Sequence, residues 1–410
     1  MKYQVTRNYR YDYLGQSYAS MYPNLHRYPA TMLPQIGIDI LREFRISKGR
    51  LLDPYCGSGS SFASGLECGL TEMEGYDINP LAALISKVKF TKLSIQEIIE
   101  TRKVFRNDLY EFLKDEDNIK KLKRPLVTNI EFWFSQEVIA NLCAVKYFIE
   151  EIKNEHIRDF FFIPFSETVR ECSYTRNSEF KLYRMKSEDI LNFNPDVIGV
   201  FFKKLEDTIY LYTNFYFPGL SKAKVKIYAS SFRPQNKLFD VVLTSPPYGD
   251  SRTTVAYGQF STFSNEWLGI KNARKIDQML MGGGKSGYII SEGLIADYVA
   301  QIAGIDYKRA LDVSAFYNDL KNSIQKVAES VSKRGKVIYV VGNRTVKKVL
   351  LPTDQFIAEK FEENGFKHLI TYERAISNKA MPSKNSPTNE SGKTMNTMLY
   401  EYIVVCEKVT

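Results

Sequence analysis

Residues 50–53, RLLD, run straight into PYCGSGSS, then into the helical SFASGLECGL and a second stretch that fits a strand at residues 73–77. Few architectures accept a short strand, a turn carrying Gly57 and Gly59, a helix and another strand in that order. It opens a doubly wound α/β sheet in which parallel strands are joined by crossover helices. Further strand patterns follow at 225–231, 239–245, 336–343, 366–373 and 398–407. The expectation is therefore a mostly parallel seven-stranded sheet. A loop without a helical pattern joins the last two strands, which predicts an antiparallel C-terminal hairpin.

Much more chain separates the second and third strands than a crossover requires. Helix-like sequence resumes at NPLAALISKVKF and extends, with interruptions, to about residue 160. The chain divides accordingly into 1–90, an N-terminal arm and the first half of the core; 91–220, a mainly helical insertion; and 221–410, the second half, carrying its own insertion at 251–310. The first 30 residues, rich in Tyr, Asn and Arg, read as an irregular arm. Residues 33–46 have helical spacing.

Two strand tips carry acidic residues. Asp53 ends the first strand and is placed to accept from a positively charged amino group. The glycines let a ligand approach the backbone, and the next helix points its N-terminus at that ligand. Asp77 ends the second strand, about 20 residues on, where such folds grip ribose hydroxyls; it also reads as a helix cap ahead of NPLAAL. The pair points to an adenosine-type cosubstrate. NAD fits less well, because the turn lacks the third glycine of G-x-G-x-x-G and Phe62 fills crowded space. No GxxxxGK[ST] is present, which excludes a P-loop.

The strand at 239–245 leaves through TSPPYGD. Two prolines cannot continue a strand ladder, so the chain breaks outward at the carboxyl edge, where open α/β sheets bind ligands. A stiff turn is the alternative reading of Pro-Pro-Tyr-Gly.

Together, DPYCGSGSS and TSPPYGD resemble the motifs of the amino-group DNA methyltransferases that use S-adenosylmethionine, a Rossmann-like family. The resemblance implies that residues 53–61 bind the methionine part of the cosubstrate and that Ser245, Pro246, Pro247 and Tyr248 carry catalysis. HRYPATMLPQIGIDIL, residues 26–41, is similar to the family's cosubstrate-wall motif. Implied cosubstrate contacts are Asp53, Cys56, Gly57, Gly59, Asp77, Ile78, Pro29 and Thr31. VVGNRTVKKVLLPTD and RAISNKAMPSKNSPTN resemble stretches of cytosine-N4 members. One departure stands out. Where the family often has an acidic residue near the adenine, this chain reads YASSF, leaving Ser230 or Ser231 to hydrogen-bond the adenine amino group.

The chemistry suits these residue types. An exocyclic amine on a nucleobase is a poor nucleophile because its lone pair is delocalised into the ring. The Ser245 hydroxyl and the Pro246 carbonyl, held rigidly by the prolines, offer acceptors to its N–H groups and favour a pyramidal nitrogen. Tyr248 can stack on a flipped base. Ser245, where adenine enzymes more often have Asp or Asn, favours cytosine N4 over adenine N6. C5 methylation needs a nucleophilic cysteine, usually after proline, and no Pro-Cys occurs; Cys56 reads as a small packing residue in the cosubstrate turn. Deamination needs zinc ligands in a pattern this chain lacks. A catalytically inactive nucleic-acid-binding protein with the same fold is the alternative from another class.

The formal charge of +9, with 56 Lys and Arg beside 27 Tyr and 26 Phe, fits a polyanionic partner; double-stranded DNA is the expected one. Arg176 and Lys181 in the basic and aromatic stretch 164–186, Arg252 in 251–290, and Arg374 and Lys379 in the loop 374–397 are the candidate contacts. The first stretch also reads as a solvated helix face and the last as a plain surface loop. The Gly282-Gly283-Gly284 run reads as a flexible turn. A restriction endonuclease is a possible genetic partner. Five cysteines and three histidines in no metal-like spacing imply no structural metal. No stretch approaches the ~20 apolar residues of a membrane span, and the N-terminus is no signal peptide, so a cytoplasmic protein is expected.

Overall fold

Leu51 and Leu52 are adjacent, point to opposite faces of one strand, and are both wholly buried, each in a different hydrophobic cluster. A strand covered on both faces lies inside a layered α/β sheet. The same division recurs at Val241 and Leu243 on one face and Val242 on the other. A computed structural model describes residues 2–14, 22–29, 31–177, 181–250, 257–376, 384–385, 395–396 and 399–409.

The main sheet holds eight strands: β1 (Val5–Arg7), β2 (Arg50–Asp53), β3 (Glu72–Tyr76), β4 (Lys224–Tyr228), β5 (Phe239–Thr244), β6 (Val331–Val341), β7 (Phe366–Ala375) and β8 (Tyr400–Lys408). Their spatial order is β1-β7-β8-β6-β5-β2-β3-β4. All neighbours are parallel except β8, which runs antiparallel to both β7 and β6. The expected seven strands and the C-terminal hairpin are present. The eighth comes from the arm read as irregular, where Val5, Thr6 and Arg7 pair with Thr371, Tyr372 and Glu373. Three residues carry too little alternation to announce a strand; the open edge of β7 supplies the partner.

The principal helices are α1 (Pro34–Glu43), α2 (Ser60–Glu67), α3 (Pro80–Phe90), α4 (Ile95–Leu113), α5 (Gln136–Glu151), α6 (Glu155–Glu171), α7 (Val197–Leu211), α8 (Tyr257–Trp267), α9 (Ala296–Ile305), α10 (Tyr307–Glu329) and α11 (Thr353–Glu363). The helical stretch expected to fade near residue 160 thus runs on through α7. There Asp196 caps the first turn through the Gly199 amide, and Val197, Phe201 and Leu205 form a buried stripe. Helices α1 to α8 share one apolar cluster with the Leu51 face, and α9 to α11 pack on the Leu52 face. Phe105, Phe161 and Phe201 of the inserted helices belong to the same buried cluster as Leu51 and Phe62.

Candidate active site

β2, β3 and β5 end side by side, and a cavity of about 310 Å³ opens at their carboxyl tips. Gly57, Asp77 and Ile78 border it from the first two tips; Ser245 and Pro247 border it from the third. The two sequence motifs therefore meet in one space.

The glycine turn is built from beneath. The Cys56 amide donates to the Tyr76 carbonyl at 2.9 Å, and the Gly59 amide donates to the Cys56 carbonyl at 2.7 Å. Gly57 and Gly59 have φ of 48° and 88°, a region that favours glycine. A Cβ on Gly57 would meet nothing within 4 Å, whereas one on Gly59 would strike Phe90 and Ser86. Gly57 therefore faces the cavity and Gly59 packs inward. Lys89 of α3, buried, donates to the Ser58 carbonyl at 2.9 Å from behind, and burial pushes its ammonium down to about 7.

Asp53 lies below the turn and does not border the cavity. Its carboxylate accepts from the Ser61 hydroxyl, from the Thr244 hydroxyl at 2.5 Å and from the Tyr55 amide at 3.0 Å. Burial pushes this carboxyl up to about 6, while those three donors pull it down. It ties β2, β5 and α2 together. Asp77 does border the cavity. It accepts from the Gly57 amide at 3.0 Å and the Asn79 amide at 2.8 Å, so it closes the glycine turn and starts α3 at once. Burial, as the largest influence, pushes its carboxyl up to about 6 as well. Cys56 is buried, its thiol raised well above the ordinary range by desolvation; a neutral thiol there is packing, not a nucleophile.

On the wall side, Pro29 is buried and Thr31 half-buried, and neither borders the cavity; Tyr28 does. Its position is fixed by Asn79, a buried amide that donates to the Tyr28 hydroxyl at 3.0 Å and the Ser261 hydroxyl at 2.8 Å and accepts from Asn265 at 3.1 Å. Of the two serines near the third tip, Ser231 borders the cavity with Phe232, and Ser230 does not.

In the TSPPYGD motif, Ser245 and Pro247 line the cavity, Pro246 is buried, and Tyr248 is half-buried beside Ser245. Ser245 Oγ donates to Tyr248 Oη at 3.2 Å, and Tyr248 Oη donates to Glu401 Oε1 at 3.2 Å. Asp250 closes the loop: Arg309 and Arg344 each place a guanidinium nitrogen 2.8 Å from its Oδ2.

Sequence reasoning missed one wall altogether. Asp319, Asn322, Ser323 and Lys326 of α10 border the cavity, together with Tyr55, whose hydroxyl bonds to Ser323. Their i, i+3, i+4, i+7 spacing is a polar helical stripe, visible in the sequence but without anything to say what it faces. Gly282 also differs from the expected flexible turn. It is buried, its amide donates to Asp319 at 2.9 Å, and a Cβ there would strike Asp250 and Phe316.

The basic candidates separate. Arg176 is exposed and Lys181 half-exposed. Arg374 is not a loop cation: it lies in β7, is buried, pairs with Glu401 and donates to the Tyr11 carbonyl at 2.6 Å. In the 251–290 stretch, Arg274 also pairs with a carboxylate, that of Glu266 at 2.7 Å. Arg252 and Lys379 lie outside the described residues. Among the described residues, no group of three or more His, Cys, Asp and Glu side chains is arranged to hold a metal ion, and no helix is long and apolar enough to cross a membrane.

No protein-family model matches the chain. The type II methyltransferase M.MvaI of Kocuria varians is 39% identical over 407 residues, covering 93% of this chain and 89% of that protein. The type II methyltransferase M.MjaII of Methanocaldococcus jannaschii is 23% identical over 193 residues, or 46% of this chain and 34% of that protein. Among solved structures, a protein described as a DNA modification methylase from Thermus thermophilus, complexed with S-adenosyl-L-methionine, is 23% identical over 24% of this chain and 39% of that chain, at a TM-score of 0.18. The rRNA methyltransferase aviRa of Streptomyces viridochromogenes covers 93% of this chain and 87% of its own at 10% identity and a TM-score of 0.32.

Proposed function

The chain belongs to the type II methyltransferases, and from that premise we propose that it methylates DNA at the exocyclic N4 of cytosine, with S-adenosyl-L-methionine as methyl donor. The observation that carries the reading is the meeting of Gly57, Asp77 and Ile78 with Ser245 and Pro247 around one cavity. A methyl donor and an amine held at opposite ends of such a space react by alignment within ~3–3.5 Å.

The residues present fit the cosubstrate. The open side of Gly57 admits a ligand against the backbone, Asp77 offers remaining lone pairs to ribose hydroxyls, and Ser231 beside Phe232 suits the edge and face of an adenine. When bound, S-adenosyl-L-methionine supplies an activated sulfonium methyl. The protein's part is then to present the amine. Ser245 Oγ, its proton directed to Tyr248, turns its lone pairs outward as an acceptor; the rigid Pro246-Pro247 pair limits reorganisation. Asp53 and Cys56 act beneath the turn, by holding it. Tyr28 takes the wall position toward which Pro29 and Thr31 pointed.

Of the named candidates, Arg176 and Lys181, on the inserted 91–220 segment, fit a DNA contact, with 251–310 as a second contact region. The same reading favours a cytoplasmic enzyme working beside a restriction endonuclease. Incubation with S-adenosyl-L-methionine and unmethylated DNA, followed by digestion to nucleosides and mass analysis, tests it: N4-methylcytosine is expected. N6-methyladenine as the sole product would overturn the base assignment, and no methylated nucleoside would overturn the enzymatic reading.

A further inference from the structure

Glu401 sits on β8 directly opposite Arg374 on β7. Arg374 is buried, and its ion pair with Glu401 uses one carboxylate oxygen, Oε2. A purely structural role for Glu401, neutralising a buried guanidinium, would be complete at that point. The other oxygen, Oε1, is instead 3.2 Å from the Tyr248 hydroxyl, 153 residues away in sequence. Tyr248 Oη in turn accepts from Ser245 Oγ.

We infer that Glu401 is a positioning residue for methyl transfer: by accepting from Tyr248 it sets the direction of the hydroxyl chain, so that Ser245 gives its proton away from the cavity and keeps its lone pairs toward the reacting amine. The inference rests on the proposed role of Ser245. A hydroxyl is both donor and acceptor, and Ser245 alone would be free to rotate its proton toward the substrate, where it would repel the amine N–H. Only a fixed acceptor at the far end removes that freedom. A carboxylate is such a group, and its second oxygen is held by Arg374. Arg374 is fastened in turn by its bond to the Tyr11 carbonyl at 2.6 Å.

Glu401→Gln is a near-isosteric test. Glutamine has one carbonyl oxygen, which the Arg374 charge claims, leaving an NH₂ toward Tyr248. Tyr248 must then accept there, and the chain reverses. Tyr248→Phe keeps the ring and the Arg374–Glu401 pair but removes the hydroxyl, so a loss in that variant cannot come from a stranded arginine. Both variants, their combination and Ser245→Ala are assayed for incorporation of tritiated methyl groups into unmethylated genomic DNA at saturating S-adenosyl-L-methionine. Cosubstrate affinity is measured by calorimetry.

Each of Glu401→Gln and Tyr248→Phe is expected to slow turnover about ten- to hundredfold at unchanged cosubstrate affinity, with the double variant no slower than the slower single one. Turnover at the wild-type rate in either single variant, or losses that multiply in the double, would overturn the inference. Ser245→Ala separates the two levels. If it too turns over at full rate, the proposed role of Ser245 falls as well; if it is slow while Glu401→Gln is not, only the positioning role is lost.

Discussion

Asp53 and Asp250 are both buried, one at the end of β2 and the other just beyond β5, yet their environments are opposite. Asp53 is held by neutral donors, and two of its three partners, Tyr55 and Ser61, lie within eight residues of it. Asp250 is held by two guanidinium groups, 59 and 94 residues away. Burial raises both carboxyls. At Asp53 the hydroxyl and amide donors counter it only in part, leaving the group at about 6; at Asp250 the charges of Arg344 and Arg309 overcome it and hold the group at about 2. The glycine turn is thus a local device that folds on itself, and the TSPPYGD loop is clamped by charges brought from elsewhere in the fold. A loop that opens on two prolines has no ladder of its own to hold it, and the ion pairs fix what the backbone cannot.

The sharpest way to break this contrast is Asp250→Ala. It removes the carboxylate that Arg344 and Arg309 share, Arg309 keeping Asp312 at 3.2 Å while Arg344 is buried, and breaking a buried pair costs about 3–5 kcal/mol. Urea denaturation reads the loss, and a change below about 1 kcal/mol would mean that the clamp is not electrostatic.

Next in size is the pH response of Asp53. Its folded-state pKa is raised, so its stabilising contribution is complete below the ordinary value of 3.8 and is lost as pH rises through about 6. Asp250 runs the other way: its contribution is present above 3.8 and lost as pH falls through about 2. The wild type should therefore lose about 2–2.5 kcal/mol relative to Asp53→Asn between pH 4 and pH 7, measured by denaturation at a series of pH values. Parallel curves for the two proteins would show that Asp53 is ionised in the fold at no extra cost.

Asp77→Ala probes the third acidic group, which shares the raised carboxyl of Asp53 but borders the cavity. Loss of its bonds to the turn and the ligand should weaken S-adenosyl-L-methionine binding by about 2 kcal/mol. Calorimetry checks this, and unchanged affinity would remove Asp77 from the site. The smallest effect lies outside both loops. Arg176→Ala should reduce the log–log salt slope of DNA binding by ~0.9 if that side chain meets a phosphate; an unaltered slope moves the DNA surface to the segment at 251–310.

The parts of the site that were legible in the sequence are those made by neighbours. Gly57 and Asp77 were legible because a strand, a glycine turn and a helix cap lie within about 20 residues of one another and each has its own residue signature; Ile78 came only with the resemblance. The motif around Ser245 was legible for a similar reason, since two prolines after an apolar strand can do little else than turn. Arg374 shows the limit. Its composition-rich neighbourhood suggested a basic loop, yet it is a cross-strand partner of Glu401 inside the hairpin. Pairing register across a turn is set by the sheet and not by local composition. The α10 stripe shows the same limit from the other side, as its spacing marked a helix face without naming its neighbour.

By itself the sequence determined the strand–turn–helix order, the parallel sheet with its reversed last strand, and the two loops that meet at its edge. These follow from side-chain period, glycine and proline, which act over a few residues and need no partner. Only the tertiary structure decided that Asp53 would brace the turn from below, that Tyr28 and α10 would wall the cavity, and that Glu401, Arg309 and Arg344 would hold the TSPPYGD loop. Each of those contacts joins groups tens to hundreds of residues apart, and charge and hydrogen-bond partners at that separation are chosen by how the layers pack.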